Sequence, residues 1–244
     1  MTIAVFAALR WECTPIVQSL RQVQRQRLGT FTLWRGAAAG AEVVVVKTGI
    51  GVERAGAAAR LVCAATHRFD VLLSTGCAGA LLPSLVPGDL VVATAVVGNP
   101  SGERFETNPA WRERVVGNIE RAHLPITAGP MLCSREVLAT AAAKQAAAAQ
   151  GFIAVEMEGA AIGAQAAAIG VPFAAVRAIL DRADAELPHA SKFVDATSGA
   201  IKPLALAREV VAHPGIVSDL LAIRRMMQAA QMSLGRLFQV FLSQ

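Results

Sequence analysis

Residues 155–163 read Val-Glu-Met-Glu-Gly-Ala-Ala-Ile-Gly, which puts Glu156 and Glu158 two positions apart where an apolar run hands over to a helical pattern. The chain is 54% hydrophobic and only 17% charged, and an unpaired buried carboxylate costs several kcal/mol. Carboxylates kept there need a partner, and a ligand is one. Other polar residues follow apolar runs in the same way. Glu12 follows the run from Ile3, Gly76-Cys77-Ala78-Gly79 follows Val71–Ser74, and Asp181 follows Phe173–Ile179. In a parallel sheet such ends lie along one edge, where open α/β sheets bind ligands.

The elements that would position these residues alternate. Short β-branched runs predict strands at Ile3–Ala8, Glu42–Lys47, Val71–Ser74, Asp89–Val97, Ile153–Glu156 and Phe173–Ile179. Helical patterns span Thr14–Gln26, Arg54–Thr66, Pro109–Ala122, Glu136–Gln150 and Glu158–Ile169. The order is that of an α/β fold around a largely buried sheet, and the unbroken run Val43–Val46 predicts burial on both faces. Ala139–Gln150 is Ala-rich, which suits a helix, with Lys144 and Gln145 expected on its wet face. A length of 244 residues suits one domain, 1–244.

Composition narrows the function classes. Lys plus Arg total 23 against 18 Asp plus Glu, a net charge of +5, but the basic residues are scattered. With no Tyr and no basic block interleaved with aromatics, nucleic acid is not an expected partner. Cys13, Cys63, Cys77 and Cys133 are far apart without C-x-x-C spacing, so neither zinc nor a disulfide framework is expected and reduced thiols in the cytoplasm fit. His67, His123, His189 and His213 are isolated, and for each a surface or core role outweighs catalysis. No metal or redox cofactor is expected. The run Thr2–Leu9 leads straight into Arg10 and Glu12, as a first strand does and a signal peptide does not. No stretch reaches the ~18 apolar residues of a membrane span. Gly49-Ile50-Gly51 opens like a dinucleotide fingerprint, but Arg54 stands at the third glycine position, and no P-loop, G-x-S-x-G or H-E-x-x-H occurs.

The chain resembles the superfamily of purine nucleoside phosphorylases and methylthioadenosine/S-adenosylhomocysteine nucleosidases over nearly its whole length. The resemblance rests on an ordered set of motifs: Ala7-Ala8-Leu9-Arg10-Trp11-Glu12, Lys47-Thr48-Gly49-Ile50-Gly51, Ser74-Thr75-Gly76-Cys77-Ala78-Gly79, and Val155-Glu156-Met157-Glu158 followed by Val176-Arg177-Ala178-Ile179-Leu180-Asp181. It is most similar to the hopanoid-biosynthesis-associated branch, which acts on an adenosyl-hopane lipid. The resemblance implies a single α/β domain with a mixed, mostly parallel, distorted barrel-like sheet flanked by helices. It also implies a homo-oligomer, with a dimer favoured.

The implied reaction is cleavage of an N-ribosidic bond through an oxocarbenium-like sugar, with negative charge building on the departing purine. Asp181 would be the general acid at purine N7, its pKa raised by burial. Glu158 would accept hydrogen bonds from ribose hydroxyls, with Met157 packed under the ring and Glu156 in support. Glu12 would activate water, with Gly76 and Cys77 on the acceptor side. Val137 and Leu138 would lie against adenine, and Leu9, Ile50 and Phe193 would line the 5′ side. The simpler roles are a helix N-cap for Asp181 and first-turn acids for Glu158 and Glu12.

Water is the favoured acceptor, because Trp11 and Ser74 stand where the superfamily's phosphorylases hold phosphate with arginine, and Glu12 would repel an incoming phosphate. Inorganic phosphate as co-substrate is the alternative, with Arg10 and Arg54 nearby in sequence; a non-catalytic nucleoside-binding protein is the third reading. Cys77 and Leu180 replace serines of the nucleosidase pattern, which removes hydrogen bonds that normally support the water and the aspartate. The connection Gly98–Trp111 is shorter than in methylthioadenosine nucleosidases, so a bulky 5′ group is expected to fit. The tail 216–243 combines Leu220, Leu221, Ile223, Met226, Met227, Leu234, Leu237, Phe238 and Phe241 with Arg224, Arg225 and Arg236. Ordinary packing on the core or a second subunit outweighs the alternative, a peripheral contact with the inner membrane face.

Overall fold

A computed structural model describes residues 1–66, 68–186 and 216–243, with side chains from 221 onward in the last segment. Phe193, His67, His189, His213 and the Leu220 side chain lie outside the described residues. The strands are β1 (Thr2–Ala7), β2 (Arg21–Leu28), β3 (Phe31–Ala38), β4 (Ala41–Lys47), β5 (Val71–Ser74), β6 (Cys77–Ala80), β7 (Leu90–Gly98), β8 (Arg104–Glu106), β9 (Ile126–Cys133), β10 (Ala154–Glu156) and β11 (Phe173–Asp181). The described helices are α1 (Arg10–Gln18), α2 (Val52–Ala65), α3 (Pro109–Arg121), α4 (Ala141–Ala148), α5 (Gly159–Ala168) and α6 (Ile216–Phe241).

All eleven strands join one sheet in the order β2-β3-β4-β1-β5-β11-β6-β10-β9-β7-β8. An extra pairing of β11 with β7 closes β11, β6, β10, β9 and β7 into a ring, the barrel-like part of the fold. The sheet is mixed: β1 runs parallel to β4 and β5, β11 to β5 and β6, and β9 to β7 and β10, while the remaining pairs are antiparallel. Helices α2 and α5 cover one face and α1, α3 and α6 the other. Val43 to Val46 are all fully buried between them, as a strand covered on both faces requires.

The sequence pattern leaves out the strands β2, β3, β6, β8 and β9 and misplaces the bounds of two helices. The helix expected over Thr14–Gln26 starts earlier and stops at Gln18, and Arg21–Leu28 is an exposed edge strand. Its Arg-Gln-Val-Gln-Arg-Gln-Arg run has no apolar face, so only pairing with β3 reveals it as a strand. Pro15 sits inside α1; it has no N–H to offer the Trp11 carbonyl one turn back, and Gln231 Nε2 of α6 reaches that carbonyl at 3.4 Å. The helix expected over Glu136–Gln150 is only Ala141–Ala148, capped by the Thr140 hydroxyl accepting from Ala143 N at 3.2 Å. Lys144, expected on its wet face, is 1% exposed.

Helix α6 is amphipathic, but its second half spends the apolar face on the protein itself: Leu234, Leu237, Phe238 and Phe241 are buried in the core. Leu221, Met232 and the side chains of Arg224, Arg225 and Arg236 remain exposed. None of the described helices is long and apolar enough to cross a membrane. The four cysteines are free.

Candidate active site

The strand ends do converge. A cavity of about 190 Å³ is lined by Ala8, Leu9 and Glu12 from the β1–α1 corner, Ile50 from the β4–α2 turn, Cys77 to Gly79 of β6, and Val155 to Glu158 at the end of β10. Leu180 and Asp181 of β11 and Glu136, Val137, Leu138 and Lys144 around α4 complete the wall. A larger hollow beside Pro15, Arg21 and Gly235 contains no carboxylate, whereas five carboxylates line the smaller one.

Glu12 is the third residue of α1, 4% exposed, and both its oxygens are held by backbone: Oε2 accepts from Leu9 N at 2.8 Å and Oε1 from Cys77 N at 2.9 Å. Burial pushes its carboxyl up, with those N–H groups opposing. Gly76 makes the close approach feasible. Its φ is +124°, and a Cβ there would stand 2.9 Å from Glu12 Oε1. Cys77 presents a neutral thiol, because burial and then the Glu12 charge push its pKa well above the ordinary value.

The two glutamates of the opening motif part company. Glu156 Oε2 accepts from Arg177 and from the N–H groups of Glu158, at 3.0 Å, and Gly159, at 2.7 Å, at the start of α5. Arg177 itself is 1% exposed, and its Nη2 also donates to Ser74 Oγ at 2.8 Å. Among the described residues Glu158 has no ion-pair partner; its Oε1 accepts from Gly51 N at 2.8 Å. Loss of water, then the Glu156 charge, pushes the Glu158 carboxyl up to about 8.

Asp181 ends β11 at an irregularity, where the register against β6 skips Leu180. It is 6% exposed and accepts at Oδ2 from Lys144 Nζ. Burial raises its pKa while Lys144 pulls the other way. Lys144 thus provides the support that Leu180, in place of a serine, does not. Neither Arg177 nor Lys144 carried a role in the sequence: Arg177 stood inside a quoted motif without a partner, and Lys144 read as an exposed helix residue.

Val137 and Leu138 line the cavity from a loop, not from a helix, and Val137 is 59% exposed. Leu9, Ile50, Met157 and Gly79 are also on the wall. None of residues 98–111 lines it; Gly98 to Ser101, Glu103 and Phe105 border a separate hollow with Arg60 and Arg135. The short connection thus supplies no wall to the cavity. Among the described residues no cluster of His, Cys, Asp and Glu suits a metal ion.

The fold closely matches that of S-adenosylhomocysteine nucleosidase from Streptococcus pyogenes in complex with 5-methylthiotubericidin, with a TM-score of 0.79 at 20% identity, covering 100% of this chain and 96% of that one. The 5′-methylthioadenosine/S-adenosylhomocysteine nucleosidase of Neisseria meningitidis, solved with methylthio-immucillin-A, gives 0.77 at 19% identity, covering 99% and 98%. That of S. pneumoniae with a transition-state inhibitor gives 0.78 at 22% identity, covering 100% and 99%. The sequence pattern of the phosphorylase superfamily matches residues 2–212. The chain is an enzyme of the phosphorylase superfamily.

Proposed function

We propose that this enzyme hydrolyses the N-ribosidic bond of a 5′-substituted adenosine and releases adenine. The observation that carries the reading is the make-up of the cavity wall: Glu12, Glu136, Glu158 and Asp181 line it beside the self-neutralising Glu156–Arg177 pair, and its one lining cation among the described residues, Lys144, is already spent on Asp181 and two carbonyls. Such a wall favours a sugar cation and disfavours a phosphate dianion. The ligands of the S. pyogenes and N. meningitidis structures support an adenosine-type substrate.

In this reading Asp181 supplies the proton that purine N7 takes up as the C1′–N9 electrons leave with the base. Glu158 accepts from ribose hydroxyls and stabilises the positive charge at C1′, with Met157 beneath the ring. Glu12, its oxygens fixed by two N–H groups, accepts the proton of the attacking water beside Cys77 and Gly76. Glu156 holds the start of α5 and so aims Glu158. Val137 and Leu138 contact the base, and Leu9 and Ile50 the 5′ group. The apolar Leu9 and Ile50 on the wall suit an apolar 5′ substituent, such as the hopane of adenosyl-hopane.

The experiment is adenine release from 5′-methylthioadenosine and from an adenosine carrying a long apolar 5′ chain, with and without inorganic phosphate. Free ribose product without phosphate is expected, and preference for the apolar chain. Strict phosphate dependence with a ribose-1-phosphate product would establish phosphorolysis instead, and tight binding without turnover would establish a binding protein. We further infer a homodimer, checked by light scattering, and a peripheral membrane contact through Leu221, Arg224 and Arg225. Co-sedimentation with anionic vesicles that survives Arg224→Glu/Arg225→Glu would remove the second idea.

A further inference from the structure

Lys144 is a lysine whose surroundings are built for its charge. Its side chain is 1% exposed on an otherwise Ala-rich helix. The ammonium donates to Asp181 Oδ2, to Arg182 O at 2.7 Å and to Ala185 O at 3.2 Å. An ammonium has three N–H donors and no acceptor, so these three acceptors satisfy it completely. A neutral amine would turn a lone pair towards one of them. The segment after β11 is fastened to α4 a second time, by Ala141 N donating to Glu186 Oε1 at 3.3 Å.

We propose that Lys144 is a positioning residue for Asp181, holding its carboxyl against the cavity and stabilising the carboxylate left once its proton has passed to the departing purine. This rests on the reading of Asp181 as the general acid. As the C1′–N9 bond breaks, its electron pair goes to the purine, N7 takes a proton from Asp181, and the Lys144 ammonium pairs with the carboxylate that remains. Water gives hydroxide to C1′ and a proton to Glu12. Glu12 then returns a proton to solvent and Asp181 takes one up, so one water is consumed and no charge is gained.

The groups that face the pair are Arg182 and Asp184, bonded to each other at 3.0 Å, and Glu186, all after β11; Cys77 of β6 and Glu136 of the β9–α4 loop; and, across the cavity, Glu12, Glu156 and Glu158 with Arg177. The Lys144 ammonium, bonded to Asp181 Oδ2, pulls the pKa of the carboxyl down against its burial. Without it the carboxyl keeps its proton to higher pH.

The test is the pH profile of adenine release by wild type, Lys144→Met and Lys144→Gln, the latter retaining N–H donors without the charge; thermal melts confirm folding. In both variants the basic limb should move up by at least about one pH unit, with kcat reduced at least about tenfold near pH 5.5 and by less at pH 8.5. A purely structural role would lower kcat alike at every pH and leave the limb in place, and that result overturns the proposal. If wild type releases no adenine, the proposed function itself fails, and carboxyl ¹³C NMR of labelled aspartate, assigned with Asp181→Asn, decides the pair separately. An Asp181 signal that titrates at higher pH once Lys144 is gone supports it; an unmoved titration overturns it.

Discussion

Two buried ion pairs flank the end of β11, and they are built to different ends. Arg177 and Glu156 are each 1% exposed in their side chains, and Glu156 also accepts two N–H groups at the head of α5. That pair neutralises itself, with Glu156 but not Arg177 on the cavity wall, and anchors a helix. Lys144 and Asp181 are 1% and 9% exposed, and both border the cavity. Here the carboxyl keeps a raised pKa despite its cation. Removing one member of a fully buried pair leaves an uncompensated charge, whereas a carboxyl at a cavity wall can take up a proton instead. The same residue types therefore serve as framework on one side and as a reactive group on the other.

The largest expected effect tests the reactive side. Asp181→Asn should lower kcat for adenine release by about 10²–10⁴ with little change in the melting curve; a loss below tenfold would remove Asp181 as the acid. On the framework side, Arg177→Met should cost about 3–5 kcal/mol, read by urea or thermal unfolding. If Lys144→Met proves as destabilising as Arg177→Met at acid pH, the contrast between the pairs collapses.

Smaller effects sharpen the picture around Glu12 and Glu158. Gly76→Ala must place a Cβ at a φ of +124° and 2.9 Å from Glu12 Oε1, so it should cost about 1–3 kcal/mol and lower kcat; unchanged melting and turnover would show that Glu12 is free to move. Glu158 is held at about 8 in the folded chain, above its ordinary carboxylate value. Folding then takes up a proton between the unfolded and folded values, so stability falls as pH rises through that window and the penalty is complete above about 8. Glu158→Gln should accordingly raise Tm above neutral pH, by about 1 kcal/mol or roughly 2–4 °C, gain nothing near pH 4, and lose activity. A gain independent of pH would contradict the raised carboxyl.

How far this could be read from residues depended on distance along the chain. The buried run Val43–Val46 and the strand-end positions of Glu12, Glu158 and Asp181 were legible, because burial on two faces and strand-to-helix handovers leave local patterns. β2 was not, since a polar edge strand has no core face to mark it. β9 was missed for another reason: it lies inside the sheet with Met131 to Cys133 buried, but Gly129-Pro130 interrupts its apolar run and is accommodated opposite Ile153. Lys144 was misread for a different reason: a lone lysine among alanines looks solvated, and the carboxyl that draws it inward is 37 residues away. The different duties of Glu156 and Glu158 were legible only in outline, because the Arg177 that separates them is paired across strands.

The proline in α1 has a consequence for the far end of the chain. Because Pro15 leaves the Trp11 carbonyl unserved, Gln231 reaches in from α6 one residue before Glu12. The last helix is thereby a brace for the turn that carries Glu12, and strain applied at the carboxyl end, by truncation or by docking on another surface, would be felt at the cavity as well as in attachment.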